Sequence, residues 1–383
     1  MCAPPTCLSY FVLYMKPTVL FTALFLCLFL SSRRGHAQEV PRNSLSFSPV
    51  LGTHLLPENE HTFNDPIPGF DLTFGFNLRN REDSWIDLLN AREFGINLVF
   101  RDLNRLDGHL DTAANSFGKA YGIAASLDFE LLDAGPVRFY LIPAVGISYV
   151  SKTYFTDSDN RFIGSHLNQL LKAALQMEVP LGDYYSLLAN VHVLHLSNGG
   201  FNIPNSGINT GNISFGLKSY LGKTSDERKE KNFHPLARST VELAAGIGRR
   251  GVYESHKGLA KSGLYAGYNY WLNPVFDLRG GLDAVYYHTV FDPERHRETY
   301  QHYGTSYDRW RLGLSLGAAV KMGRLEIKGM FGRYLHYNSY HGINYYWNSG
   351  GSYFLSPHLG LQTTLHMHRF QADFVDLGLV VKL

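Results

Sequence analysis

Apolar residues recur at every second position over segments of about 10 to 14 residues in this chain, the period of a β-strand with one greasy and one polar face. From Phe70 the apolar positions are Phe70, Leu72, Phe74, Phe76 and Leu78, and Asp71, Thr73, Gly75, Asn77 and Arg79 fill the gaps. The pattern returns at Phe94, Ile96, Leu98 and Phe100, from Tyr121 to Leu131, and from Trp310 to Val320. No run of 18 apolar residues occurs and no helical period is sustained, so neither a membrane-spanning helix nor a helical bundle is expected.

Alternation alone also suits a soluble sandwich, but segment length and aromatic rims separate the two. The segments exceed the usual globular strand and match a tilted crossing of a bilayer. Their ends carry Tyr149, Tyr154, Tyr184, Tyr185, Trp271, Tyr286, Tyr287, Tyr334 and Tyr337, as the two interfaces of a membrane barrel require. The fold class expected is therefore all-β, an antiparallel transmembrane β-barrel of about 14 strands, within roughly 12 to 16, in the cell outer membrane.

An export signal supports this class. Thr18 to Leu30 form an apolar run of 13 residues, too short to span a bilayer, followed by Gly35-His36-Ala37-Gln38. Residues 1–37 read as a cleaved signal peptide, with Met15-Lys16 supplying the basic start that such signals need. Cys2, Cys7 and Cys27 all lie in this stretch, so the mature chain has no thiol for a disulfide or a thiolate metal site. Removal of Lys16, Arg33 and Arg34 takes the formal charge from +2 to −1, and no nucleic-acid partner is expected. The 17 histidines, His366 and His368 among them, lack metal-ligand spacing and are expected to lie scattered at the rims. No metal or cofactor is implied.

Connections short enough for tight turns occur at Leu132 to Pro136, Pro180 to Asp183, Leu272 to Pro274 and Met322 to Arg324. Long ones occur at Asn104 to Ser116, Ser151 to Ser165, Asn198 to Ile208 and Thr289 to Asp308, and these are expected to face outward. The alternation slips phase at Phe374-Val375. Residues 38–222 form one barrel region, and the charged stretch within 223–234 is a periplasmic turn or a linker. Residues 235–383 then either complete the same barrel or form a second β unit.

The segment from Asn190 to Asn212 carries candidate chemistry. His195 and Ser197 are two apart on a strand, so they share a face with Cα atoms roughly 6.5 to 7 Å apart. An imidazole so placed can take the seryl proton, which is what a hydroxyl needs to act as a nucleophile. Leu187, Ala189, Val191 and Val193 share that face, whereas Ser186, Asn190 and His192 lie on the other. The pair thus faces lipid, where polar groups cost free energy and mark function. A lone His-x-Ser is weak, since this many histidines give about one such match by chance.

The longer string is specific. His195-Leu196-Ser197-Asn198, Gly199-Gly200, Pro204 to Asn209 and Gly164-Ser165-His166 together resemble the signature of the lipid A 3-O-deacylase (PagL-like, acyloxyacyl hydrolase-like) family of outer-membrane barrels, over roughly Ser44 to Leu221. The resemblance implies an ester hydrolase acting on lipid A or lipopolysaccharide. In it Ser197 is the nucleophile, His195 the base, and Asn198 and Gly200 the oxyanion hole. The family's third member is a Glu fourteen residues after the histidine, and Asn209 stands there. Its carbonyl can hold the imidazole but brings no charge to stabilise imidazolium, which leaves open slower chemistry, another substrate or loss of activity. The alternative is a non-catalytic barrel, a diffusion channel or surface scaffold with a relic site, to which Asp128, Glu130, Arg309 and Arg311 as lumen-facing groups would be suited.

Overall fold

The computed structural model describes residues 43–55, 66–79, 81, 83–106, 117–221, 238–290, 306–339, 342–368 and 371–383. The signal segment and the charged stretch of 223–234 lie outside the described residues. Eight antiparallel strands make a first closed barrel: β1 (Asn43–His54), β2 (Ile67–Asn77), β3 (Ala91–Asp102), β4 (Lys119–Asp133), β5 (Arg138–Val150), β6 (Leu167–Pro180), β7 (Tyr185–Ser197) and β8 (Ile208–Leu221). Eight more make a second: β9 (Ser239–Gly251), β10 (Gly258–Trp271), β11 (Phe276–Tyr287), β12 (Trp310–Met322), β13 (Leu325–His336), β14 (Tyr345–Phe354), β15 (Leu359–His368) and β16 (Gln371–Lys382). β1 closes on β8, with Leu45 opposite Ser219, and β9 closes on β16, with Ala245 opposite Leu379. The expected 14 strands are thus corrected to 16, and they close as two rings.

The strands invert the ordinary globular pattern: charge is inside and apolar side chains are outside, as lipid on one side and a polar lumen on the other demand. On β2, Asp71 is buried whereas Phe70 and Phe74 of the same strand are exposed. Inside the first barrel Arg101 Nη1 donates to Asp71 Oδ1 at 2.7 Å and Lys172 Nζ to Asp71 Oδ2 at 2.6 Å, while Lys218 pairs with Glu93 at 3.1 Å. Inside the second, Arg279 bridges Asp277 and Glu326 at 2.6 and 2.8 Å, and Asp373 accepts from Lys261 and Arg311. An eight-stranded barrel is just wide enough for side chains to fill, and these ion pairs fill both.

Two sequence features find their explanation in the interior. His366 and His368 lie toward the end of β15 but turn into the lumen: His366 Nε2 lies 2.9 Å from Asp376 Oδ2, and His368 Nε2 lies 2.6 Å from Arg311 Nη1, both buried. The phase slip at Phe374-Val375 is a β-bulge, because His366 opposes Phe374 while Met367 opposes Ala372. Asp373 is the extra residue, and both it and Phe374 are buried.

The connections at 134–137, 181–184, 272–275, 323–324 and 355–358 are short and all lie at one end. At that end, a single-turn helix α1 (Ser84–Leu88) also joins β2 to β3 and packs Trp85 near Gly323 of the second barrel. The longer connections, 151–166 and 198–207 included, lie at the other end, which loop length marks as external. Both rings share this orientation, since an even number of strands precedes β9.

Candidate active site

β7 runs toward the external end and turns Val191, Val193, His195 and Ser197 outward in one row. Val191 is 64 % and Val193 51 % exposed, as lipid-facing residues are, whereas Ser197 is only 8 % exposed because the 198–207 loop folds over it. Ser197 Oγ–H donates to His195 Nε2 at 2.8 Å. The other ring nitrogen, Nδ1–H, donates to Asn209 Oδ1 at 2.7 Å. Asn209 reaches it because β8 pairs with β7 so that His195 and Asn209 face one another directly, and opposed residues in an antiparallel ladder share a face. An amide oxygen on Nδ1 fixes the tautomer that leaves Nε2 bare to accept the seryl proton.

The loop after Ser197 is organised by one side chain. Asn198 Oδ1 accepts from Gly200 N–H at 3.0 Å, and its Nδ2 donates to Ser165 Oγ at 2.9 Å and to the Asn202 carbonyl at 3.1 Å. Its backbone N–H donates to Asn205 Oδ1. Gly199 and Gly200 sit at φ +63° and +85°, which lets the chain reverse in two residues. The expected oxyanion donors, Asn198 and Gly200, are therefore together beside Ser197 but already bonded, Gly200 within the loop and Asn198 to Ser165 and Asn202. Gly207, at φ +77°, passes so close that a Cβ there would lie 2.8 Å from His195 Cε1. Ser165, quoted above only as part of a motif, proves to be the acceptor that fixes the Asn198 amide.

The second barrel is part of this site, which no motif foretold. Gly251 N–H donates to the Gly200 carbonyl at 2.8 Å and Glu254 N–H to that of Ile203 at 3.0 Å, a short parallel bridge between the rings. Arg249 Nη2 donates to Asn202 Oδ1 at 3.3 Å, and its guanidinium stacks over Phe201 at 4.3 Å. A Cβ on Gly199 would fall 2.4 Å from Val375 Cγ2. Ser197 thus sits at the lip of a crevice between two lipid-facing walls.

Fold and site together define a twin outer-membrane β-barrel bearing a hydroxyl, an imidazole and an amide in line on its lipid face. Residues 69–218 match the family described as lipid A 3-O-deacylase (PagL), and residues 239–383 match the acyloxyacyl hydrolase C-terminal domain. The chain belongs to this family, and its place is the outer membrane. No curated protein matches it. Among solved structures it resembles the outer membrane enzyme PagL at 15 % identity and TM-score 0.29, over 45 % of this chain and 97 % of that one. Neisserial surface protein A matches at 12 % identity and TM-score 0.29, over 47 % and 96 %. A Rh. blastica porin variant matches at 8 % and 0.18, over 89 % and 99 %.

Proposed function

We propose that the chain is an ester hydrolase that removes an ester-linked acyl chain from lipid A or a similar amphiphile held against the barrel wall. The observation that carries the reading is the continuous relay from Ser197 Oγ through both ring nitrogens of His195 to Asn209 Oδ1, on the lipid side of β7. Ser197 Oγ attacks the ester carbonyl carbon while its proton passes to His195 Nε2. The tetrahedral adduct collapses, the sugar oxygen leaves with that proton, and the acyl chain remains on Ser197. Water, deprotonated by the same nitrogen, then releases the fatty acid.

In this reading Asn198 and Gly200 serve as the oxyanion donors, and a donor in that role is worth roughly 10²- to 10³-fold. Their use requires the substrate oxygen to take the place of Ser165 Oγ or Asn198 Oδ1 as acceptor, an exchange that the substrate-bound state would complete. Asn209 supplies orientation and the correct tautomer but no charge. Turnover should therefore be slower than with a carboxylate, by less than the ~10⁴ that the amide costs where it also imposes the wrong tautomer. The domain division proposed is a deacylase-like barrel over 38–222, a linker over 223–234 and an accessory barrel over 235–383. The diffusion-channel alternative finds no support in two lumens crossed by ion pairs.

Lipid A from cells expressing the protein, compared by mass spectrometry with lipid A from cells expressing Ser197→Ala, tests the reading. A mass loss of one hydroxyacyl or acyl group with the wild type alone is expected. The same loss with Ser197→Ala would move the chemistry elsewhere.

A further inference from the structure

Every interior cation named above has a carboxylate beside it. Among the described residues, Arg249 has none. It belongs to the outward row of β9, in phase with Val241, Leu243 and Ile247, all of them exposed to lipid. Its partners among the described residues are neutral: Asn202 Oδ1, the His256 carbonyl at 3.1 Å and the face of Phe201. The contrast with Arg250 is direct, since that side chain turns into the barrel and meets Asp373 at 3.9 Å and two carbonyls. Arg249 Nε is enclosed without an acceptor among the described residues.

A guanidinium cannot shed its proton to escape an apolar surface, so one that no described residue neutralises, at the external end of a lipid-facing row, is suited to a bound anion. The fold also makes room for it. A Cβ on Gly258 would stand 2.3 Å from Arg249 Nε, so the guanidinium lies in the space that this glycine leaves. Two hydrogen bonds link the position to the serine: Arg249 holds Asn202, and Asn202 accepts from Asn198, the neighbour of Ser197. Leu365 and Val375 add an apolar wall beside Gly199.

We propose that the second barrel supplies the headgroup half of the substrate site, with Arg249 binding a phosphate of a phosphorylated glycolipid whose acyl chain lies in the crevice between the barrels. This rests on the esterase reading above. Arg is suited to phosphate because its planar donors meet two oxygens at once. The anionic head and the apolar chain of one amphiphile then match the guanidinium and the apolar wall of Leu365 and Val375.

The test is binding in a Ser197→Ala background, where chemistry is removed, using phosphorylated lipid A and the same lipid A dephosphorylated, each in bicelles. The readout is the ratio of the two dissociation constants. Arg249→Gln should lower the preference for the phosphorylated lipid about tenfold, the scale of one charge-assisted contact. Arg249→Lys should keep most of it. Gly258→Ala retains the charge but displaces the guanidinium, and should also lower the ratio. An unchanged ratio in Arg249→Gln, or equal weakening for both lipids with Gln and Lys, would overturn the proposal and leave Arg249 only a docking contact between barrels. Phosphatidylglycerol competing as well as lipid A would overturn the assignment to a glycolipid. Mass spectrometry of the same samples tells whether Ser197→Ala still hydrolyses, so a failure of the esterase reading is seen separately.

Discussion

In the proposed hydrolysis Asn209 is the residue on which the chemistry turns most sharply, because it holds the imidazole through an oxygen that carries no net charge. Asn209→Ala removes the only acceptor of His195 Nδ1–H, so the ring loses its tautomer and alignment; hydrolysis by the purified protein should fall by about 10²-fold or more while heat-modifiable gel mobility is retained. Asn209→Glu should support activity at or above the wild-type level. Equal rates for Asn, Ala and Glu on one lipid A substrate would remove the residue from the mechanism. Gly207→Ala tests the same ring from its other side: the added Cβ meets His195 Cε1 at 2.8 Å in a backbone region unfavourable to alanine, so kcat should fall further than KM rises. Much at this scale was legible in the sequence. Two positions apart on a strand means one face, which brings His195 to Ser197; Asn209 was pointed to only by the family resemblance, and the pairing of β7 with β8 is what sets it opposite His195. What the Asn198 side chain bonds to was not legible, since its partner Ser165 comes from another loop 33 residues earlier. Arg249 was still less so, because it arrives from a ring with its own closure.

The 198–207 loop shows how an element acquires a shape that its own residues do not dictate. It is tied to the 151–166 connection through Ser165, and Gly207 N–H donates to the Phe162 carbonyl at 3.0 Å. On its other side it adds one backbone bridge to the end of β9, where a Cβ on Gly251 would lie 2.7 Å from Asn202 Cα. That close approach is backbone against backbone, so no side chain can yield. Gly251→Val should separate the loop from β9: limited proteolysis should then cut within 198–206, while gel mobility reports both barrels intact. Unaltered protection of the loop would show that Arg249 and the Gly199 contact with Val375 suffice for docking. β16 teaches a related lesson. Its alternation broke at Phe374-Val375, and only the pairing with β15 reveals that Asp373 has been added to carry a carboxylate inward to Lys261 and Arg311.

At the scale of the whole molecule, local alternation reported strands but not rings. A period of two is blind to which strand lies beside which, and the pairings of β1 with β8 and of β9 with β16 link residues more than a hundred positions apart. Hence a count of about 14 in one barrel, where there are 16 in two. The packed lumens make a prediction of their own: the protein reconstituted in a planar bilayer should show no stepwise conductance, and resolved steps of porin size would contradict the filled interiors. Asp373→Asn should destabilise the second barrel by roughly 3–5 kcal/mol, because it leaves Lys261 and Arg311 without their shared carboxylate. Heat-modifiability of the two halves after cleavage in the linker should then show the second ring opening at lower temperature than the first. The closure of β8 on β1 has a further consequence, for biogenesis. In a single-ring protein the closing strand ends the chain, so insertion and release can be timed by the terminus. Here the strand that seals the first ring is followed by a whole second ring, β9 to β16, so the first seam is internal to the sequence. The cell's assembly machinery must therefore recognise and complete a seam that has more barrel after it.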